Sequence, residues 1–180
     1  MPKLRTLKLR QAPLSDAVID PILTACPNLE RLDLSFTLVK HPIRPAGERL
    51  EKLALTSTKV SGQVLVALVS GLPRLRNLAA GALGGGPGST AAIANSSAMI
   101  MTDDILRAIA DALIVGKDAD VTFERVNLVG NNKLGLTGRR GPEAALAYFV
   151  RKVGRRCKVC DFPGAEGLQR ISSCLVYHSI

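Results

Sequence analysis

Aromatic residues are scarce in this chain: there is no tryptophan, and Phe and Tyr make up only 3% of the 180 residues. The apolar content of 47% therefore comes mainly from leucine, valine, isoleucine and alanine. These short side chains suit a core made of thin, repeated layers. No apolar run approaches the ~18–20 residues that a membrane span needs, and no apolar segment follows the first basic residues, so we expect neither a membrane segment nor a secretory signal.

Cysteine and histidine are equally sparse, with four Cys and two His. Four cysteines in a chain of this length do not form a disulfide framework, so we expect a reducing compartment, the cytoplasm or the nucleus. Neither histidine belongs to a Ser, Cys and carboxylate arrangement that a sequence can identify as a catalytic triad. We therefore expect a protein that is not an enzyme and carries no cofactor.

The formal charge of +9 is unevenly distributed. Residues 1–122 contain 14 basic and 11 acidic side chains, whereas residues 123–180 contain 10 and 4. A basic segment attracts nucleic acid, anionic lipid or an acidic protein surface. Because no aromatic residues are interleaved with these basic residues, we expect a protein partner and neither nucleic acid nor a membrane.

The dominant pattern that the chain does contain is the leucine phrase Leu-x-x-Leu-x-Leu, which occurs several times. Its copies begin 25, 21, 25 and 48 residues apart, at Leu4, Leu29, Leu50, a degraded copy at Leu75, and a variant at Phe123. Self-similarity with a period of ~20–29 residues is typical of leucine-rich repeats. Such repeats stack into solenoids, which offer extended surfaces to other macromolecules.

Helical patterns separate these strand-like phrases. Ser15 and Asp16 are predicted to begin the first helix, in which Pro21 is tolerated only in the first turn. Further helices are expected after Ser61, after Thr102 and from Gly141-Pro142 to Val153, whereas residues 42–49 have room for a single turn at most. The order strand, turn, helix predicts an α/β leucine-rich-repeat solenoid with a short curved parallel sheet on its concave side and helices on its convex side.

In three copies of the leucine phrase, the residue at which the chain turns away after the strand is polar. Thr37 and Thr58 occupy the same step of two phrases, and Asn131 occupies the equivalent step of the fifth. A hydroxyl or amide there can satisfy a backbone group that would otherwise be buried without a partner.

The period breaks at residues 81–101, a stretch rich in Gly, Ala and Ser that we interpret as a flexible insertion. The predicted organisation is a leucine-rich-repeat domain at 1–165 that includes this insertion, followed by an irregular C-terminal tail at 166–180. The glycines of the insertion lack the lysine of a phosphate-binding loop, so no nucleotide site is expected there.

The run Cys26-Pro-Asn-Leu-x-x-Leu-x-Leu-Ser-x-Thr resembles the cysteine-containing leucine-rich repeats of F-box proteins and of the antagonist-of-mitotic-exit family. The run from Leu128 to Gly135 resembles the ribonuclease-inhibitor type of repeat. The resemblance covers roughly residues 3–165 and implies a horseshoe fold. It also implies a role in protein recognition, such as substrate recognition in an SCF-type ubiquitin-ligase pathway, with the adaptor of a cullin ligase as a possible partner. No F-box is expected before the first repeat.

The positions between the leucines are expected to form a polar concave face. Parallel strands lie ~4.8 Å apart, so equivalent side chains of successive repeats form columns across the sheet. The basic members of the second column can pair with carboxylates or with a phosphorylated segment. The candidate partner-binding residues are Arg5, Lys8, Glu30, Arg31, Asp33, Glu51, Lys52, Arg76, Asn77, Glu124, Arg125 and Asn127.

An alternative reading concerns Cys157, Cys160, Cys174 and His178, whose spacing is close to that of small zinc fingers. Cys157, Cys160 and Phe162 also fit the three inward positions of a further repeat, where free cysteine behaves as a small apolar residue. We prefer the repeat and expect no metal. A small zinc- or nucleic-acid-binding protein that uses the basic C-terminal third remains the alternative function.

Basic pairs also have the approximate spacing of a bipartite nuclear signal. They are Arg139-Arg140, Arg151-Lys152 and Arg155-Arg156. The second pair falls on an amphipathic segment, so a solvated helix face explains it equally well.

Overall fold

The structure, a computed structural model, describes residues 1–41, 47–81, 101–115, 121–128, 131, 142–153 and 158–160. Within these residues, six strands alternate with helical segments. The strands are β1 (Thr6–Lys8), β2 (Arg31–Asp33), β3 (Lys52–Ala54), β4 (Asn77–Ala79), β5 (Arg125–Asn127) and β6 (Lys158–Cys160). The helices are α1 (Asp16–Thr24), α2 (Gly62–Ser70), α3 (Asp103–Val115) and α4 (Pro142–Val153), with a 3₁₀ turn at Gly47–Arg49 between β2 and β3.

The strands form one parallel sheet in the order β1-β2-β3-β4-β5-β6. Each strand pairs with the next in the chain, and every pair has the same register. The central residue of each strand is therefore aligned with the next, in the column Leu7, Leu32, Leu53, Leu78, Val126 and Val159. The prediction of an α/β protein with a parallel sheet is confirmed.

The sixth strand corrects one sequence interpretation. Its register pairs Val159 with Val126 and Cys160 with Asn127. Cys160 therefore lies in the column of the polar residues, and the expectation that it takes an inward position is wrong. Successive residues of a strand alternate between the faces, so a shift of one residue exchanges the two faces. In β6 the β-branched Val159 occupies the register position that leucine occupies in β1 to β4.

Backbone pairing continues beyond the three residues of several strands, into a turn that recurs. Gln11, Phe36 and Ser57 have φ angles of 63°, 62° and 54°, and each backbone N–H donates to a carbonyl of the following repeat, at 2.8 to 3.0 Å. Left-handed backbone costs a non-glycine residue ~1–2 kcal/mol. Its recurrence at 25- and 21-residue intervals, the spacing of the leucine phrases, indicates that the turn is part of the repeated unit.

The polar residues predicted at the turns do satisfy backbone groups. The hydroxyls of Thr37 and Thr58 donate to the carbonyls of Leu34 and Leu55 at 2.7 and 3.0 Å. Both threonines are 0% exposed. The amide of Asn131 plays the same role in the fifth copy, and it donates to the Leu128 carbonyl at 2.8 Å.

The helices begin where the sequence predicts, and two of them have a side-chain cap. The Ser61 hydroxyl accepts from the Val64 N–H at 3.3 Å, and the Thr102 hydroxyl accepts from the Ile105 N–H at 3.4 Å. Ser15, by contrast, makes no side-chain capping bond, and Pro21 lies inside α1, beyond its first turn. Pro21 is exposed, so water can reach the carbonyl that its missing N–H leaves free.

Asp16, the first residue of α1, connects two repeats instead of capping its own helix. Its carboxylate accepts from the backbone N–H groups of Lys40 and His41 at 3.0 and 3.2 Å. The start of α1 is thereby joined to the segment that follows β2.

In the described part of the chain, an apolar core lies between the leucine face of the sheet and the helices. Helix α2 packs against α3, and α3 packs against α4. Phe123 and Phe149 meet edge-to-face in this core, with ring centroids 6.2 Å apart. Of the helices in the described ranges, none is long and apolar enough to cross a membrane.

Candidate functional site

Opposite the core, the sheet has a polar face that we call the charged face. It consists of the first and third residues of the strands, which the register aligns in two columns. One column is Thr6, Arg31, Lys52, Asn77, Arg125 and Lys158, which we call the basic column. The other is Lys8, Asp33, Ala54, Ala79, Asn127 and Cys160, which we call the small column.

The residues that precede the strands form a third column along the edge of this face: Arg5, Glu30, Glu51, Arg76 and Glu124. Each member after Arg5 donates its backbone N–H to the carbonyl of the previous member, at 2.8 Å throughout. We call this the edge column.

Most side chains of the edge column are occupied with one another. Arg5 donates to Glu30 at 2.6 Å, and Arg76 donates to Glu124 at 3.4 Å. The second carboxylate oxygen of Glu124 accepts from the Asn77 amide at 3.2 Å. Two of the three acidic residues in this column are thus largely neutralised by neighbours.

Three cations of the basic column differ from the edge column in their surroundings. Arg31, Lys52 and Arg125 are exposed, and none of them forms an ion pair with another residue in the described part of the chain. Arg31 and Lys52 lie directly opposite each other on adjacent strands. Their positive charges therefore repel each other at close range.

A groove of about 440 Å³ runs along the charged face across five strands. Lys8, Arg31, Lys52 and Arg125 contribute four positive charges to its lining, and Asp33 contributes one negative charge. The acidic residues of the edge column are not part of this lining. The groove therefore has a net positive charge.

The small column gives this groove its depth. Ala54 and Ala79 lie on the two central strands, β3 and β4, beside Lys52 and Asn77. Their methyl groups leave space that a longer side chain would fill. Asp33, also in this column, forms a local hydrogen bond, in which its carboxylate accepts from the Ser35 N–H at 2.9 Å.

The structure brings together all twelve residues that the sequence proposed for the partner surface. Seven of them lie in the basic and small columns, and the other five form the edge column beside them. Lys158 was missed, because the sequence was aligned one residue out of register at β6. Placing the β-branched Val159 in register with Val126 would have identified Lys158 as a member of the basic column.

The alternative sites fall mainly elsewhere. Cys157, Cys174 and His178 lie outside the described residues, as do Arg139-Arg140, Arg155-Arg156 and most of the Gly-rich insertion. Within the described residues, no group of three or more His, Cys, Asp or Glu side chains is arranged to hold a metal ion. Cys26, a free thiol, is completely buried in the core.

The second basic pair forms part of a helix contact. Arg151 and Lys152 end α4, and both cations lie 5.5 Å from the centre of the Tyr148 ring. Tyr148 donates its hydroxyl to Asp111 of α3 at 2.8 Å, and Lys152 lies 3.7 Å from the same carboxylate. This pair therefore takes part in joining α3 to α4.

Comparison with protein-family models, with curated proteins and with solved structures finds no match to this chain.

Proposed function

We propose that this protein is a leucine-rich-repeat solenoid that binds another protein on the charged face of its sheet and has no catalytic activity of its own. The charged face would be the concave side of the solenoid, with the helices on the convex side. The identical register of all six strands carries this proposal. It aligns side chains from distant parts of the sequence into columns that an extended partner can contact in series.

The groove supports the same function. A packed hydrophobic core requires nothing of the solvent side of a sheet except that it be polar. This face nevertheless combines a groove of about 440 Å³ with exposed cations that form no ion pair among the described residues. An arrangement of that kind is typical of a surface that a charged partner covers.

A more specific version follows from the resemblance to the repeats of F-box proteins. In this version the bound protein is a substrate, and the chain delivers it to an SCF-type ubiquitin ligase. Recovery of a cullin adaptor with the tagged protein would support this version. A partner recovered without any adaptor would support binding alone and contradict the ligase role.

Site-specific photo-crosslinking in the cells that produce this protein tests the main proposal. A photoreactive amino acid replaces Ala54, which lines the groove, in one variant. In the matched control it replaces Gln63, which is exposed on α2. We expect a discrete crosslinked protein from position 54 and none from position 63.

Two results would contradict the proposal. One is a crosslinked protein that forms from position 63 but not from position 54. The other is the absence of any product from position 54, while circular dichroism shows the variant to be folded and immunoblotting shows it at the normal level.

A further inference from the structure

We propose that the groove takes a short acidic segment of the partner in an extended conformation, with its carboxylates paired to the basic column. This inference rests on the proposed function and specifies the chemistry of the partner. Arg31, Lys52 and Arg125 would each meet a carboxylate, and the partner backbone would cross the sheet above Ala54 and Ala79.

Charge complementarity is the first support. Four basic side chains and one acidic side chain line the groove, and the acidic one, Asp33, already accepts a backbone hydrogen bond. The carboxylates of Glu30 and Glu124 are held by Arg5 and by Arg76 with Asn77, respectively. An acidic segment would therefore meet cations in the groove and few free anions beside it.

The placement of Arg31 opposite Lys52 is the second support. Like charges directly opposite each other on neighbouring strands destabilise a sheet. The pair consequently has a cost in the free protein, and an anion bound between the two cations removes it. Binding sites commonly retain interactions that lower the stability of the free protein.

The dimensions agree with an extended segment. Arg31 and Arg125 are three strand intervals apart, which is about 14 Å at the usual spacing of parallel strands. In an extended peptide, every second side chain points the same way, at intervals of about 6.8 Å. Acidic residues at alternate positions can thus reach the flexible side chains of Arg31, Lys52 and Arg125 in turn.

The composition of the groove favours a peptide over single-stranded nucleic acid. Proteins that bind single strands stack the bases on aromatic side chains in addition to contacting phosphates. Among the described residues that line the groove, none is aromatic. The cations are therefore available for carboxylates, but no platform for base stacking accompanies them.

Fluorescence anisotropy with defined peptides tests the inference on the full-length chain. The probe is a labelled peptide of about eight residues, long enough to cross the groove, with glutamate at alternate positions. A peptide with glutamine in place of every glutamate is its control. We expect the glutamate peptide to bind and the glutamine peptide not to bind.

Two double variants identify the site. In R31Q/K52Q the two opposed cations of the groove are neutralised, and we expect binding to weaken about tenfold, as for the loss of two charge-assisted contacts. In R49Q/R74Q the same net charge is removed from exposed residues outside the groove, and we expect nearly unchanged affinity. The melting temperature of R31Q/K52Q should equal or exceed that of the parent protein, because the repulsion between positions 31 and 52 is removed.

Three results would overturn the inference: no binding of the glutamate peptide, equal weakening in both double variants, or a labelled oligonucleotide that binds the groove more tightly than the peptide does. If the glutamate peptide does not bind while the photoreactive residue at position 54 still captures a protein, the inference of an acidic segment is contradicted and the proposed function is not. If the peptide does not bind and no protein is captured, the proposed function is contradicted as well.

Discussion

The side-chain amide of Asn131 donates a hydrogen bond to the carbonyl of Ala80 at 3.0 Å, although the two residues are 51 positions apart. The same amide nitrogen also donates to the Leu128 carbonyl at 2.8 Å. Asn131 is 4% exposed. One buried side chain thus joins the turns that follow β4 and β5, the two strands separated by the longest connection in the chain.

Replacement of Asn131 by alanine is expected to lower the free energy of unfolding by about 1–3 kcal/mol, because the buried carbonyl of Ala80 loses the side-chain amide as a donor. The Leu128 carbonyl keeps only the backbone N–H of residue 131, at 3.3 Å. Urea denaturation measures the loss. Asn131→Thr is the control, since Thr37 and Thr58 each hold one carbonyl at the same step, and it should recover part of the stability. An alanine variant as stable as the parent would show that this amide has no structural role.

Replacing one leucine of the central column by alanine should lower the free energy of unfolding most in the middle of the sheet. Leu53 lies between Leu32 and Leu78 and is 3% exposed. Leu53→Ala is expected to cost about 2–5 kcal/mol. Leu7→Ala should cost clearly less, because Leu7 is only partly buried and lies on the first strand of the sheet order. Equal losses in chemical denaturation would argue against a continuous core of stacked repeats.

Two serines at helix starts should respond differently to the same change. The Ser61 hydroxyl caps α2, so Ser61→Ala should lower the free energy of unfolding by about 1 kcal/mol. The Ser15 side chain makes no such bond, so Ser15→Ala should change stability by only a few tenths of that amount. Thermal denaturation followed by circular dichroism compares the two variants, and a larger loss at Ser15 would contradict the assigned caps.

The left-handed turn predicts a stabilising change at Gln11, which is exposed and has a φ of 63°. Gln11→Gly removes steric strain of roughly 1–2 kcal/mol, offset by the greater freedom of glycine in the unfolded chain. We expect a net gain of up to about 1 kcal/mol from the difference between these two effects.

Gln11→Val is the matched control, because a β-branched residue is least compatible with this backbone. It should lower the midpoint of the urea transition, whereas the glycine variant should raise it. A valine variant more stable than the glycine variant would contradict a left-handed turn at this position.

The leucine phrases determined the strands, their parallel order and the side chains that enter the core. That was possible because alternation along a strand is a local property. Arg31 and Leu32 are consecutive residues of a strand, so their side chains point to opposite faces of the sheet whatever surrounds them. The helices after Ser61 and Thr102 were recognised for the same reason, since capping and apolar periodicity act within a few residues. Thr37 and Thr58 were assigned correctly because each hydroxyl bonds a carbonyl three positions back.

Tertiary structure alone decided features that depend on contacts between repeats. Asp16 begins α1 as predicted, but its carboxylate also accepts from backbone groups of Lys40 and His41 in the next repeat. The register of β6 brought Lys158, and not Val159, into line with Arg125 and the rest of the basic column. The edge carboxylates found partners 25 and 48 residues away, whereas Lys8, Arg31, Lys52 and Arg125 are exposed cations that line the groove. Electrostatic pairing depends on distance in space, and only the folded chain sets which charges are near enough to neutralise one another.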